Sequence, residues 1–200
     1  MGPCPFAMTE VLHPFADAAT TARVIAATRR WLEAAVIGLN LCPFAKAVHV
    51  KRQIRYAATA AASADALLAE LGRELDLLVE ANPEALDTTL LIHPAAMTDF
   101  IDFHLFLREA EGLVGSRGYR GILQIASFHP EYEFAGNAAD DIENCTNRSP
   151  YPTLHLLREA SIDRAVAAFP DAAEIYERNI ETMRRLGHEG WRRLQPADES

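Results

Sequence analysis

Cysteine is scarce: Cys4, Cys42 and Cys145 are the only three in 200 residues. An odd, scattered trio builds no disulfide framework, so the expected setting is a reducing cytoplasm. No CxxC pair is present, which removes thioredoxin-like and zinc-ribbon readings. No apolar run approaches the roughly 20 residues a membrane span needs. Positive charge is in deficit, with 19 Lys and Arg against 28 Asp and Glu and a net charge of −9. That balance argues against nucleic acid and against an anionic membrane surface as partners, because both are held mainly by cations. The patterns of a P-loop, a dinucleotide GxGxxG, a HExxH zinc site and a GxSxG hydrolase elbow are all missing. No basic stretch followed by an apolar one opens the chain, and Phe6 stands where a myristoylation signal needs Ser or Thr.

What remains is an ordinary globular composition, 50% hydrophobic and 24% charged, enough for one core. A single domain over residues 1–200 is expected, with no clear element in 1–17 and a frayed tail at 195–200. Met8-Thr9-Glu10 reads as an alternative start, and Cys-Pro-Phe-Ala at 4–7 recurs at 42–45, too short to count as a repeat.

Apolar spacing predicts a helix from about Ala18 to Gly38, ended by Cys42-Pro43. A β-prone stretch follows over Val48–Ala58. Ser63 caps a helix carrying Leu67, Leu71, Leu75 and Leu78, which Asn82-Pro83 stops. Thr88–Ile92 is a continuous apolar run of the kind that forms a strand buried on both faces. Thr98-Asp99 opens a helix that Gly115 and Gly118 end, and Gly121–Phe128 is the next strand. Residues 131–149 read as one long polar loop, and helix is predicted to resume near Pro152 and to fill the rest. Asp171 with Glu174 has capping-box spacing, and Gly187 is expected to close the last amphipathic stripe. One helix between consecutive strands makes them parallel. The expected fold is therefore α/β, a small mostly parallel sheet of three or more strands flanked by helices, with a ferredoxin-like α+β sheet as the alternative.

Two predicted strands end in the same pair, His93-Pro94 and His129-Pro130. In parallel strands both histidines stand at the carboxyl edge of the sheet, where open α/β folds bind ligands. Histidine suits proton transfer and metal binding because it titrates near neutrality. The bland alternative is that each imidazole bonds a backbone group. Further along, Arg148 and Ser149 precede the predicted helix, whose free N–H groups favour an anion, and His155 falls one turn inside it. There the bland alternatives are a capping Ser149, an Arg148 paired with Asp140 or Asp141, and a core His155. Cys42 sits in a turn beside Lys46 and reads as a nucleophile, a soft-metal ligand or a small core residue. His13, His49, His104 and His188 receive no role.

The segments Trp31-Leu32-Glu33, Leu39–Ala45, Ser127–Ala135 and Thr146–Glu159 together resemble the bacterial and plant family called domain of unknown function 1415, over about Ala22 to Leu194. The resemblance implies that Cys42, the Phe-His-Pro-x-Tyr turn and Asn-Arg-Ser-Pro-Tyr-Pro are signature positions, and it implies no catalytic residue.

The functional expectation is an enzyme on a small anionic substrate, a carboxylate or phosphate. His129 and His155 move protons, Arg148, Ser149, Tyr132 and Asn147 hold the substrate, and Cys42 and Arg158 are further candidates. A metal protein using His93, His129, His155 and Cys42 with zinc, iron or copper is the second reading. The third is a non-catalytic assembly protein whose C-terminal helices form a homodimer face.

Overall fold

The computed structural model describes residues 11–168 and 174–194. The readings placed on Cys4, on the start at Met8, on the Asp171 cap and on the tail fall outside the described residues.

Helix α1 (Ala18–Trp31) begins at Asp17, whose side chain accepts the Thr20 N–H at 2.6 Å, and runs directly into a π-helical segment at Leu32–Ile37. Asn40, at φ 56°, takes the left-handed conformation that ends it, close to the expected stop. The β-prone stretch divides in two: Ala45–Val50 is a short helix, α2, and only Ile54–Ala58 is strand β1. Then come α3 (Ala64–Glu80), capped by Ser63, β2 (Thr88–Ile92), α4 (Phe100–Ser116), capped by Asp99, and β3 (Leu123–Phe128). A 3-10 turn at Ile142–Asn147 lies inside the long loop.

The main correction falls at residue 152. The segment expected to begin a helix is strand β4 (Thr153–Arg158), and helix resumes only at α5 (Glu159–Ala167) and α6 (Ile175–Leu194), within which Gly187 makes a kink at φ 64°. Strand order is β1-β2-β4-β3, with β1 and β2 parallel and β4 antiparallel to both neighbours. The sheet is therefore mixed, with two of its three pairings antiparallel. β1, β2 and β3 still run the same way, as the single-helix connections require, and β4 is inserted between the last two. The element order also differs from the β-α-β-β-α-β order of a ferredoxin-like sheet.

Alternation sorts the side chains onto two faces. On the first, Leu67, Leu71 and Leu75 of α3 and Phe103 and Phe106 of α4 pack on Ala57, Leu91, Leu154 and Leu156. Each of these buried leucines stabilises the fold by about 2 kcal/mol. Arg55 of β1 and the buried Glu74 of α3 form a two-pronged pair across this face, at 2.7 and 2.9 Å. On the second face, Val24 of α1 covers Ala58, Leu90 and Ile92. Trp31, Met183 and Trp191 join Phe128 and Cys145 in a separate cluster.

Arg158 is buried, and its Nη2 donates to the carbonyls of Leu78, Ala81 (2.8 Å) and Leu86 (3.2 Å). These are carbonyls at and just beyond the end of α3 that the helix itself leaves unbonded. Arg158 thus ties the end of α3 to the strand, and none of this places it at a ligand. Replacing it (Arg158→Met) is expected to cost about 2–3 kcal/mol, since charge-assisted bonds to buried carbonyls are lost. Urea unfolding at neutral pH checks this, and an unchanged midpoint would contradict the role.

Candidate functional site

The parallel direction of β2 and β3 brings His93 and His129 to one edge of the sheet, both against Phe103. Their rings lie 5.7 and 5.2 Å from the Phe103 ring. Both imidazoles are fully buried and both bond the backbone. His93 Nδ1 stands 3.0 Å from the Ala96 carbonyl, which can only accept, so Nδ1 carries the hydrogen. Its Nε2 is buried, with no partner among the described residues. His129 Nε2 donates to Met97 O at 3.2 Å, and its Nδ1 accepts the Glu131 N–H at 3.0 Å. His129 therefore has no ring nitrogen left for a substrate. Burial lowers the pKa of both, that of His93 to about 4, helped by the neighbouring His129 and opposed in part by the bond to Ala96.

The long loop is bound to itself in the same manner. Asn144, fully buried, accepts from the Phe134 N–H at 3.0 Å and from Asn137 Nδ2 at 3.1 Å, and donates to Ala138 O at 2.8 Å. Arg148 donates to the carbonyls of Tyr132 (3.2 Å) and Ala139 (2.7 Å) and leans on Cys145 Sγ at 4.0 Å. It does not pair with Asp140 or Asp141, and the helix expected to begin just after it is strand β4. Asn147 accepts the His129 N–H through its carbonyl, and its Nδ2 donates to Ser127 O. Ser149 Oγ donates to Tyr151 O at 2.6 Å. The Tyr132 ring packs between Phe100 (5.2 Å) and Phe134 (5.0 Å). The four residues expected to hold substrate thus gather near His129, but the polar side chains among them bond the loop and the end of β3.

His155 lies elsewhere, on the second face in the middle of the sheet, in one row with Tyr56, Leu90 and Ala126. The helical placement expected for it is overturned with the helix. Its Nε2 is 2.8 Å from Thr88 Oγ1, and that hydroxyl donates its one hydrogen to Leu156 O at 2.6 Å. Thr88 can then only accept from the ring, so Nε2 carries the hydrogen and Nδ1 keeps a bare lone pair. No partner for Nδ1 is found among the described residues, and His155 as a whole is half-buried. Desolvation lowers the His155 pKa to about 4. Around it the face is partly open: Gln124 is exposed, and Ala126, Phe128, His155 and Leu157 are half-buried. The Phe128 ring is 6.1 Å from His155 and meets Trp31 edge-on at 5.1 Å.

Cys42 is half-buried in the Trp31–Phe128 cluster, where burial raises its pKa, opposed in part by the backbone N–H groups of Phe44 and Ala45. That burial disfavours the thiolate there. Among the described residues no group of three or more His, Cys, Asp or Glu side chains is placed to hold a metal ion. His93 and His129 have three of their four ring nitrogens engaged with backbone, so together they offer no chelating pair. No helix of the described residues is long and apolar enough to cross a membrane.

Thr88 is the residue of this candidate site that sequence reasoning passed over. It sits in an apolar run, and only the antiparallel register with β4 puts it beside His155.

The fold and this face define a mixed α/β protein with an oriented histidine on a half-open sheet. The family model described as "Protein of unknown function (DUF1415)" matches residues 23–193, and the chain belongs to that family. No curated protein and no solved structure matches it.

A histidine whose pKa falls on folding binds fewer protons folded than unfolded, so stability drops as pH falls from 6.5 toward 4. For His93 the loss reaches about 3 kcal/mol by pH 4. His93→Gln is expected to flatten the pH dependence of unfolding free energy in that window by this amount. An unchanged slope would contradict the burial of a neutral His93.

Proposed function

We propose that the protein is an enzyme acting on a small anionic substrate, bound on the half-open part of the second sheet face, with His155 as the proton acceptor. The observation that carries this reading is the Thr88–His155 bond, which aims one lone pair at a fixed position. A side chain locked by a neighbour's hydrogen bond, in partly apolar surroundings and with a shifted pKa, is a pattern of reactive sites.

The anionic substrate follows from the same chemistry. With a pKa near 4 the imidazole is neutral at neutral pH, and a base that weak moves protons poorly. A negative charge within about 4–6 Å favours the imidazolium and raises the pKa toward the working range. A carboxylate or phosphate on the substrate supplies that charge. Nδ1 then takes a proton from a protic group of the ligand, while Nε2–H stays on Thr88. Phe128, Ala126 and Leu157 offer apolar contact on either side. Arg148 is no longer part of this reading, because its donors serve the loop, and neither is His129.

Screening carboxylates, phosphate esters and matched neutral amides by thermal shift and calorimetry tests the proposal. At least one anion is expected to bind wild type at least tenfold more tightly than His155→Gln. Equal binding by the two proteins, or a preference for the neutral amides, would refute it.

A further inference from the structure

We propose that His129 is a clasp released by acid: its neutral ring joins the β2–α4 connection to the first turn after β3, and protonation of Nδ1 frees that turn. The Glu131 N–H can only donate, so its 3.0 Å bond to the ring requires a bare Nδ1. The ring hydrogen therefore sits on Nε2, which gives it to Met97 O at 3.2 Å. Met97 stands at φ 52°, a left-handed conformation that a bulky side chain resists, and this bond helps to hold it there. A protonated ring carries hydrogen on both nitrogens, so Nδ1–H would face the Glu131 N–H, donor against donor. Met97 O can still receive Nε2–H, and the bond that fails is the one to Glu131. The ring is buried against Phe100 at 5.5 Å and Phe103 at 5.2 Å, whose side chains offer Nδ1–H no lone pair in exchange.

The titratable groups that bear on this ring come from three places. His93 at the end of β2 is repelled by a charge on His129, while Glu131 on the turn itself and Asp99 at the cap of α4 favour the imidazolium. Burial is the largest influence and outweighs these carboxylates and the bonds to the Met97 and Thr98 backbone, so the His129 pKa lies below its ordinary value. The closed turn thus binds fewer protons than the open one, and its advantage, full at neutral pH, is lost as pH falls from 6.5. Opening takes the Tyr132 ring off Phe100 and the Tyr132 carbonyl off Arg148 Nε. Phe134 and Ala138 stay tied to Asn144, so the release is confined to the start of the long loop. Nothing in this device depends on the His155 reading.

Amide exchange of the full chain, followed by NMR and divided by the intrinsic exchange rate at each pH, tests the clasp. Protection of the Glu131 N–H is expected to fall about fivefold between pH 7 and pH 5, while that of the Phe134 N–H, bonded to Asn144, stays constant. In His129→Gln, whose carboxamide keeps a donor and an acceptor and does not titrate, Glu131 protection is expected to be the same at both pH values. Equal protection of Glu131 at the two pH values in wild type overturns the proposal, whether or not the variant folds. A fall at Phe134 as large as that at Glu131, or an undiminished fall in folded His129→Gln, overturns it equally.

Discussion

One hydroxyl hydrogen decides the character of the second sheet face. Thr88 has a single hydrogen to give, and the Leu156 carbonyl takes it. The same oxygen must then receive the ring hydrogen of His155, which fixes that imidazole in one tautomer and one orientation. The whole arrangement depends on β4 pairing with β2 in a register that sets Thr88 beside Leu157 and Leu90 beside His155. A shift of one residue would turn His155 to the other face, among the leucines of α3 and α4.

The carboxyl edge of the sheet follows a different logic. There the chain ends two parallel strands in His-Pro, and proline stops the ladder while histidine bonds the turn that follows. His93 closes onto Ala96 and His129 joins Met97 to Glu131, so the two imidazoles tie the β2–α4 and β3–β4 connections together through Phe103. Asn144 and Arg148 do the same inside the long loop. A loop whose carbonyls are bonded by a guanidinium and a buried amide is a built structure rather than a free arm. That accounts for Asn137, Asn144, Asn147 and Arg148 in a stretch that reads as irregular.

Much of the framework was legible in the residues. The caps Ser63 and Asp99, the apolar strands Thr88–Ile92 and Leu123–Phe128, and the shared edge of His93 and His129 all follow from local chemistry. The family was legible too, from the segments around Cys42, His129 and Arg148. β4 was not. Pro152 with Leu154, Leu156 and Leu157 suits the first turns of a helix as well as a strand, and only the place left open between β2 and β3 decides between them. That single misreading carried His155 to a helix, gave Arg148 an anion-binding terminus that does not exist, and made the sheet look parallel. The π-helical turn after Trp31 and the short helix at Ala45–Val50 were hidden for a related reason: both keep the apolar character that longer regular elements would have.

The most direct test of the account is the protonation pattern of the His155 ring, observed by long-range proton–nitrogen NMR correlations in the free protein at neutral pH. Hydrogen on Nε2 and a bare Nδ1, with the pattern giving way to a tautomer mixture in Thr88→Val, is the predicted result. Hydrogen on Nδ1, or a ring averaging between both forms in the wild type, would contradict it and leave the half-open face without an aimed base.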